Sequence, residues 1–165
     1  MDRWHDHGGV DDRDEGDRPA EQDEFSRSLL AAAKEYGLSP TTVQRHEVAL
    51  RRHVPTEDPV LVVALALPVT KPASGDVVLL ITENRIVATH ETRFLRRIRA
   101  YLDADVMSLE KVTWSADPRA AVMELAFRSD GIRHRFLIQL PDRHTVWRTD
   151  AVFGRLFLRP LRMAL

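Results

Sequence analysis

The 165-residue chain contains no cysteine, which excludes disulfides, thiolate nucleophiles and every cysteine-containing zinc site. Its net charge of −1 conceals a division: residues 1–24 hold ten acids against three arginines, a net −7, which leaves +6 on residues 25–165. That mildly basic remainder suits anionic lipid, nucleic acid or an acidic partner, but arginine supplies 21 of the 24 basic residues of the whole chain, and so general a bias identifies no ligand by itself.

The acidic residues 1–24 have almost no apolar side chains to offset the entropy of ordering, and are expected to be disordered. Held close to a basic surface, this tail is expected to compete with anionic ligands. The sequence His5-Asp6-His7 within it would chelate a metal only weakly and unselectively. From Phe25 the pattern changes. Phe25, Leu29, Ala33 and Tyr36 fall on one helical face and Gly37 is placed to end that helix. Ser39-Pro40 supplies a cap residue followed by proline at the first helical position. Val43, Leu50 and Val54 mark the inner face of this second helix, and Pro55 is expected to stop it, so residues 25–56 form a helical hairpin.

Beyond residue 56 the period becomes that of strands. Residues 60–69 are rich in Val, Leu and Ala and bounded by proline, which predicts a first strand. A loop at 71–75 follows. Residues 76–89 then read Asp-Val-Val-Leu-Leu-Ile-Thr-Glu-Asn-Arg-Ile-Val-Ala-Thr, an apolar strand, a break and a β-branched strand. Asn84 tolerates positive φ and is expected to close the turn. Residues 97–102 and 106–114 are weaker strand candidates, and Asp117-Pro118 is a turn. Met123, Leu125 and Phe127 alternate with polar or small residues. Past Asp130-Gly131, a preferred hairpin turn, Ile132, His134, Phe136, Ile138 and Leu140 alternate in the same way. Asp142 should cap a last helix whose inward stripe is expected at Trp147, Ala151, Gly154, Leu158 and Leu161, flanked by Val146, Phe153 and Phe157, with Pro160 fraying its end.

The 76–89 segment resembles the leucine-leucine-x-threonine-x-x-arginine-leucine hairpin of bacterial pleckstrin-homology-like (PH-like) domains, matched by Leu79, Leu80, Thr82, Arg85 and Ile86. The resemblance covers roughly residues 57–160 by element order. It implies an α+β, mostly β fold: a PH-like, partly closed antiparallel barrel or bent sandwich with a C-terminal capping helix at 57–165, preceded here by the helical hairpin and the tail. It also implies a binding or oligomerising module without a catalytic centre or cofactor.

Two groups of residues are candidate sites. Arg93, Arg96, Arg97 and Arg99 cluster after the hairpin and could take phosphates or anionic headgroups. The first strand-to-strand loop, where phosphoinositide-binding PH domains carry several basic residues, offers only Lys71. The second group belongs to residues 33–46, where Ala33, Gly37 and Val43 look like a helix-turn-helix core. Thr41, Thr42, Gln44 and Arg45 would then open a recognition helix, although a structural helical hairpin shows the same glycine. The basic terminal helix, with Arg143, Arg148, Arg155, Arg159 and Arg162, is expected to plug the barrel rather than lie on a membrane. His46, His53, His90, His134 and His144 show no ligand spacing, and His134 lies in an inward strand register. No serine elbow, phosphate-cradling glycine loop or paired carboxylates is visible.

The expectation is therefore a non-catalytic binding or self-association module, with a nucleic-acid-binding regulator as the alternative. A protein partner or a second copy is the leading expectation for what it binds, with anionic lipid or nucleic acid behind. The longest apolar stretch is far too short to span a bilayer and the first residues do not resemble a signal peptide, so a cytoplasmic location is expected.

Overall fold

The computed structural model describes residues 24–69 and 75–158. Helices α1 (Glu24–Glu35) and α2 (Pro40–Arg51) come first. Seven strands follow: β1 (Val60–Pro68), β2 (Val77–Thr82), β3 (Arg85–Glu91), β4 (Ile98–Asp105), β5 (Glu110–Asp117), β6 (Val122–Ser129) and β7 (Ile132–Gln139). Helix α3 (Arg143–Phe157) ends the described chain. The acidic tail through Asp23, Lys71 and Pro160 lie outside the described residues.

Every strand pair is antiparallel, in the order β4-β3-β2-β1-β7-β6-β5. Strand β1 makes the corner: it pairs with β2 along most of its length, and its residues 66–68 also pair with β7. Strands β4 and β5 do not pair, so the sheet bends without closing. A four-strand meander joined to a three-strand meander through β1 and β7, followed by a helix, is the PH-like architecture.

The helical hairpin belongs to the same core. Phe25, Leu29, Ala33 and Tyr36 are all buried, as are Val43, Leu50 and Val54, and they pack with the sheet residues in one cluster. Gly37 at φ 72° ends α1, with Leu38 N–H donating to Ala33 O at 2.9 Å and Gly37 N–H to Lys34 O at 3.4 Å, a Schellman arrangement. Ser39 caps α2 through Thr42 N–H at 3.2 Å, with Pro40 at the first position. The helix stops at Arg51, before Pro55, because the chain tightens into a turn with His53 N–H on Leu50 O at 3.0 Å. Helix α1 packs on β1 and α2 on β3 and β4, which explains why all six residues of β2 are buried. A strand covered on both faces reads as a continuous apolar run rather than an alternation.

The β2–β3 turn is closed differently from the sequence expectation. Asn84 does not take positive φ; among the described residues other than glycine only Arg96, Lys111, Ala121 and Asp130 do. The Thr82 hydroxyl holds the turn, accepting from Arg85 N–H at 2.8 Å and Asn84 N–H at 3.3 Å. The buried Asp58 carboxylate in turn accepts from Thr82 Oγ1 at 2.5 Å and from Asn84 Nδ2 at 3.1 Å. A side chain from before β1 thus fixes a turn 24 residues later.

Three further expectations shift. Residues 106–108 form a 3-10 turn capped by Asp105, not the start of a strand, and β5 begins at Glu110. Asp130 (φ 49°) and Gly131 (φ 75°) make the β6–β7 turn as expected, but Ile132 beside it is exposed. The inward stripe of α3 is rotated onto Val146, Thr149, Phe153 and Leu156, leaving Trp147 57% exposed and Leu158 outside. Thr149 can be buried there because its hydroxyl donates to Thr145 O at 2.7 Å and lies 3.4 Å from the Tyr36 hydroxyl. Trp114 of β5 receives this face, edge-on to Phe153 at 6.0 Å, with its Nε1–H on Asp150 Oδ1 at 2.8 Å.

Thr82→Val keeps the shape of the turn while removing an acceptor from two backbone N–H groups and a donor from Asp58. The expected loss of unfolding free energy is about 1–3 kcal/mol. A urea titration of wild type and variant measures it, and an unchanged midpoint would contradict this role for Thr82.

Candidate anion-binding site

Helix α2 and the turn that follows it are fixed on the sheet at three points. Arg45 forms an ion pair with Glu91 at the end of β3. His46 Nδ1 lies 2.8 Å from Thr89 Oγ1, and His53 Nδ1 lies 2.8 Å from Asp103 Oδ2, which sits beside Arg85. These contacts set the direction of the helix and bring its first turns against the β3–β4 connection.

That connection, residues 92–97, is a closed turn. Thr92 N–H donates to Arg97 O at 2.8 Å and Arg96 N–H to Thr92 O at 3.0 Å, while Arg97 N–H reaches Thr92 Oγ1 at 3.3 Å. Arg96 takes φ 45°, which turns the chain back into β4. Arg93, Arg96, Arg97 and Arg99 are all exposed, and among the described residues none has a side-chain partner.

Between the helix and the turn lies an open cavity of about 730 Å³ lined by Arg45, Gly75, Glu91, Thr92, Arg93 and Arg96. Gly75 sits at φ +123° and a Cβ there would lie 3.2 Å from Glu91 O, so both backbone angle and space favour glycine. Three guanidiniums face the cavity with one carboxylate, and that carboxylate is engaged by Arg45. Arginine is suited to such a place because its fixed fork of donors matches the oxygens of phosphate or carboxylate.

The structure therefore joins one member of each sequence-derived group. Arg45 leaves the recognition-helix set and lines the cavity with Arg93 and Arg96; Arg97 and Arg99 lie outside its lining. Thr41 and Gln44 are exposed on α2, and Thr42 lies half-buried against the capping Ser39 at 2.9 Å. Helix α3 meets only the end of α1 among the described residues, through Arg148 on Glu35 and Thr149 beside Tyr36, while the sheet packs along α1 and α2. Sequence reasoning missed the pairing of Arg45 with Glu91 and the exposure of Phe94 and Leu95 between the arginines of the turn. The second is signalled by two apolar residues enclosed by Arg93, Arg96 and Arg97.

On the other face of β3, His90 meets Tyr101 edge to face at 5.3 Å. His90 Nδ1 and the Tyr101 hydroxyl are buried without a hydrogen-bond partner in the structure, and burial drives the Tyr101 hydroxyl far above its ordinary range, so it stays protonated. His134 stacks on Phe127 at 5.4 Å in the register expected for it. Among the described residues no three His, Asp or Glu side chains converge to hold a metal, and no helix is long and apolar enough to cross a membrane.

No protein-family model matches the chain, and no curated protein matches it. Solved structures similar to it include the DH/PH domains of p115-RhoGEF, at 10% identity and TM-score 0.47 over 83% of this chain and 43% of that one. Vav1 with an allosteric inhibitor aligns at 11% identity and TM-score 0.43, over 83% and 38% of the two chains. The DH/PH domains of PDZ-RhoGEF in complex with activated RhoA align at 13% identity and TM-score 0.43, over 81% and 38%. This chain spans less than half the length of each of these. The PH-like fold rests on the strand order and the placement of α3, not on likeness at this level.

His46, only 1% exposed, is the titratable link between α2 and the sheet. Burial lowers its pKa from 6.5 to about 4, with Arg45 and then His90 acting in the same direction and Asp76 opposing them. The folded state holds the neutral ring, whereas the unfolded chain takes up a proton below its ordinary pKa. The contribution of His46 is thus complete above pH 6.5 and lost as pH falls toward about 4. The expected outcome is a fall in Tm across this window that is smaller in His46→Asn, which can keep a bond to Thr89 without titrating. Equal falls in both proteins would contradict a buried neutral His46.

Proposed function

We propose that this chain is a non-catalytic binding module that takes an anionic group, phosphate or carboxylate, in the cavity between the first turns of α2 and the β3–β4 turn. The observation carrying this proposal is the convergence of Arg45, Arg93 and Arg96 on one cavity whose single carboxylate is already paired. The hydrogen-bonded turn fixes the backbone that carries Arg93 and Arg96, so less backbone entropy is lost when a ligand arrives. The anion belongs to a larger partner, since an open cavity of this kind encloses no small molecule by itself. Nucleic acid is the second reading, favoured by the exposed Thr41 and Gln44 next to Arg45 on the same helix.

Titration with inorganic phosphate and with a short single-stranded oligonucleotide, followed by backbone amide shifts, tests both readings. Phosphate is expected to move the amides of Arg45 and residues 91–96. Arg93→Ala and Arg96→Ala are each expected to weaken binding about tenfold, the equivalent of one charge-assisted hydrogen bond. Shifts confined to residues 41–45, seen with the oligonucleotide alone, would favour nucleic acid. Shifts scattered over all arginines would contradict a defined cavity.

A further inference from the structure

We infer that the outer face of the β5–β6–β7 meander carries a second anion site, independent of the Arg45 cavity, which takes the doubly charged phosphate of a small soluble phosphomonoester. The site is a cavity of about 240 Å³ lined by Lys111, Thr113, Ala126, Phe127, Arg128 and Arg133. Phe127 is buried against Phe136 and His134 on the inner side of the sheet, so alternation along β6 turns Ala126 and Arg128 outward. Thr113 of β5 stands opposite Ala126, and Arg133 of β7 stands directly opposite Arg128.

Three features of this cavity work against the stability of the unliganded chain. Arg128 and Arg133 oppose each other across two strands, where like charges repel. Neither has a side-chain partner among the described residues. Glu110 stands across β5–β6 from Arg128 without pairing with it, whereas the neighbouring Arg135 takes Glu124 in two hydrogen bonds of 2.8 Å. Lys111 takes φ 51°, a conformation that suits glycine and strains a lysine. The strain belongs to a β-bulge: the register of β5 shifts between Glu110 and Thr113, so Lys111 and Val112 together oppose Phe127. A bulge re-aims a side chain, and this one brings a third cation to the rim beside the two arginines. An anion held among the three would relieve the repulsion and give the strained lysine a role.

Local charge selects the ligand. Three cations against the Glu110 carboxylate leave two positive charges, which match a phosphate monoester of roughly −2 near neutral pH. The Thr113 hydroxyl adds a hydrogen-bond donor between them. A phosphodiester brings a single charge to the same place. An extended polyanion would also have to pass Glu110 and the exposed Asp130 of the β6–β7 turn, which a small ligand avoids.

Methyl phosphate, a monoester dianion, and dimethyl phosphate, a diester monoanion, are the probes, titrated into the full-length protein and followed by backbone amide shifts. Methyl phosphate is expected to move the amides of Lys111, Thr113, Arg128 and Arg133, and dimethyl phosphate to bind there about tenfold more weakly, as fits the loss of one charge-assisted contact. Arg133→Thr is expected to weaken methyl phosphate at this site about tenfold while raising the Tm of the ligand-free protein, since it removes the opposed charge. Lys111→Gly suits the bulge and is expected to weaken binding similarly with no loss of Tm. Shifts of residues 91–96 report the Arg45 cavity separately and are expected to be the same in both variants. Amides at 111–113 and 128–133 that stay still in methyl phosphate would overturn this site, whether or not residues 91–96 respond. Equal affinity for the two probes would overturn the choice of a dianion. A phosphoserine peptide that binds ten or more times as tightly as methyl phosphate, about 1.4 kcal/mol, would overturn the small ligand in favour of a phosphorylated protein.

Discussion

Strand β2 is apolar on both faces, and a sheet strand in that condition must be covered twice. The bent sheet itself covers the inner face. The outer face requires a second layer, and helices α1 and α2 supply it by lying across β1, β3 and β4. Leaving that face in water would expose Val, Leu and Ile side chains that each gain about 1.5–3 kcal/mol on burial. The helical hairpin is therefore the outer wall of the core, with Phe25, Leu29 and Leu50 in the same cluster as Leu79, Leu80 and Val87.

This covering also builds the arginine-lined cavity. Polar contacts of modest individual strength then set the direction of α2: His46 on Thr89, Arg45 on Glu91 and His53 on Asp103. With those three in register, Arg45 can reach the β3–β4 turn, where Arg93 and Arg96 already stand. Gly75 leaves the backbone entering β2 room beside Glu91. A layer added for the sake of burial thus contributes a guanidinium to a cavity that the sheet alone would line with two.

Much of this was legible in local pattern. The Leu79-Leu80-Thr82-Arg85 hairpin, the Asp130-Gly131 turn and the caps at Ser39 and Asp142 each signal their structure through chemistry within a few residues. What failed to show is what depends on distant partners. Asn84 was the natural residue to close its turn by positive φ, yet Asp58, far upstream, engages it and Thr82 together. Helix α3 carries apolar residues on two faces, and hydropathy cannot see that Thr145 and Thr149 are buried with satisfied hydroxyls. Arg93 and Arg96 were visible as a basic cluster, whereas Arg45 joins them across 46 residues through its contact with Glu91. Exposure of Phe94 and Leu95 follows from the closed turn, which no periodicity encodes.

If the hairpin is the outer wall of one core, its helices cannot open while the sheet stays folded. Native-state amide hydrogen exchange measures this directly, residue by residue. The slowest amides of α1 and α2, among them Leu29 and Leu50, are expected to exchange with the same opening free energy as Leu80 and Val87 of β2 and β3. Helix amides that exchange through an opening several kcal/mol (~3 or more) below that of the strands would contradict a shared core and the placement of Arg45 that depends on it.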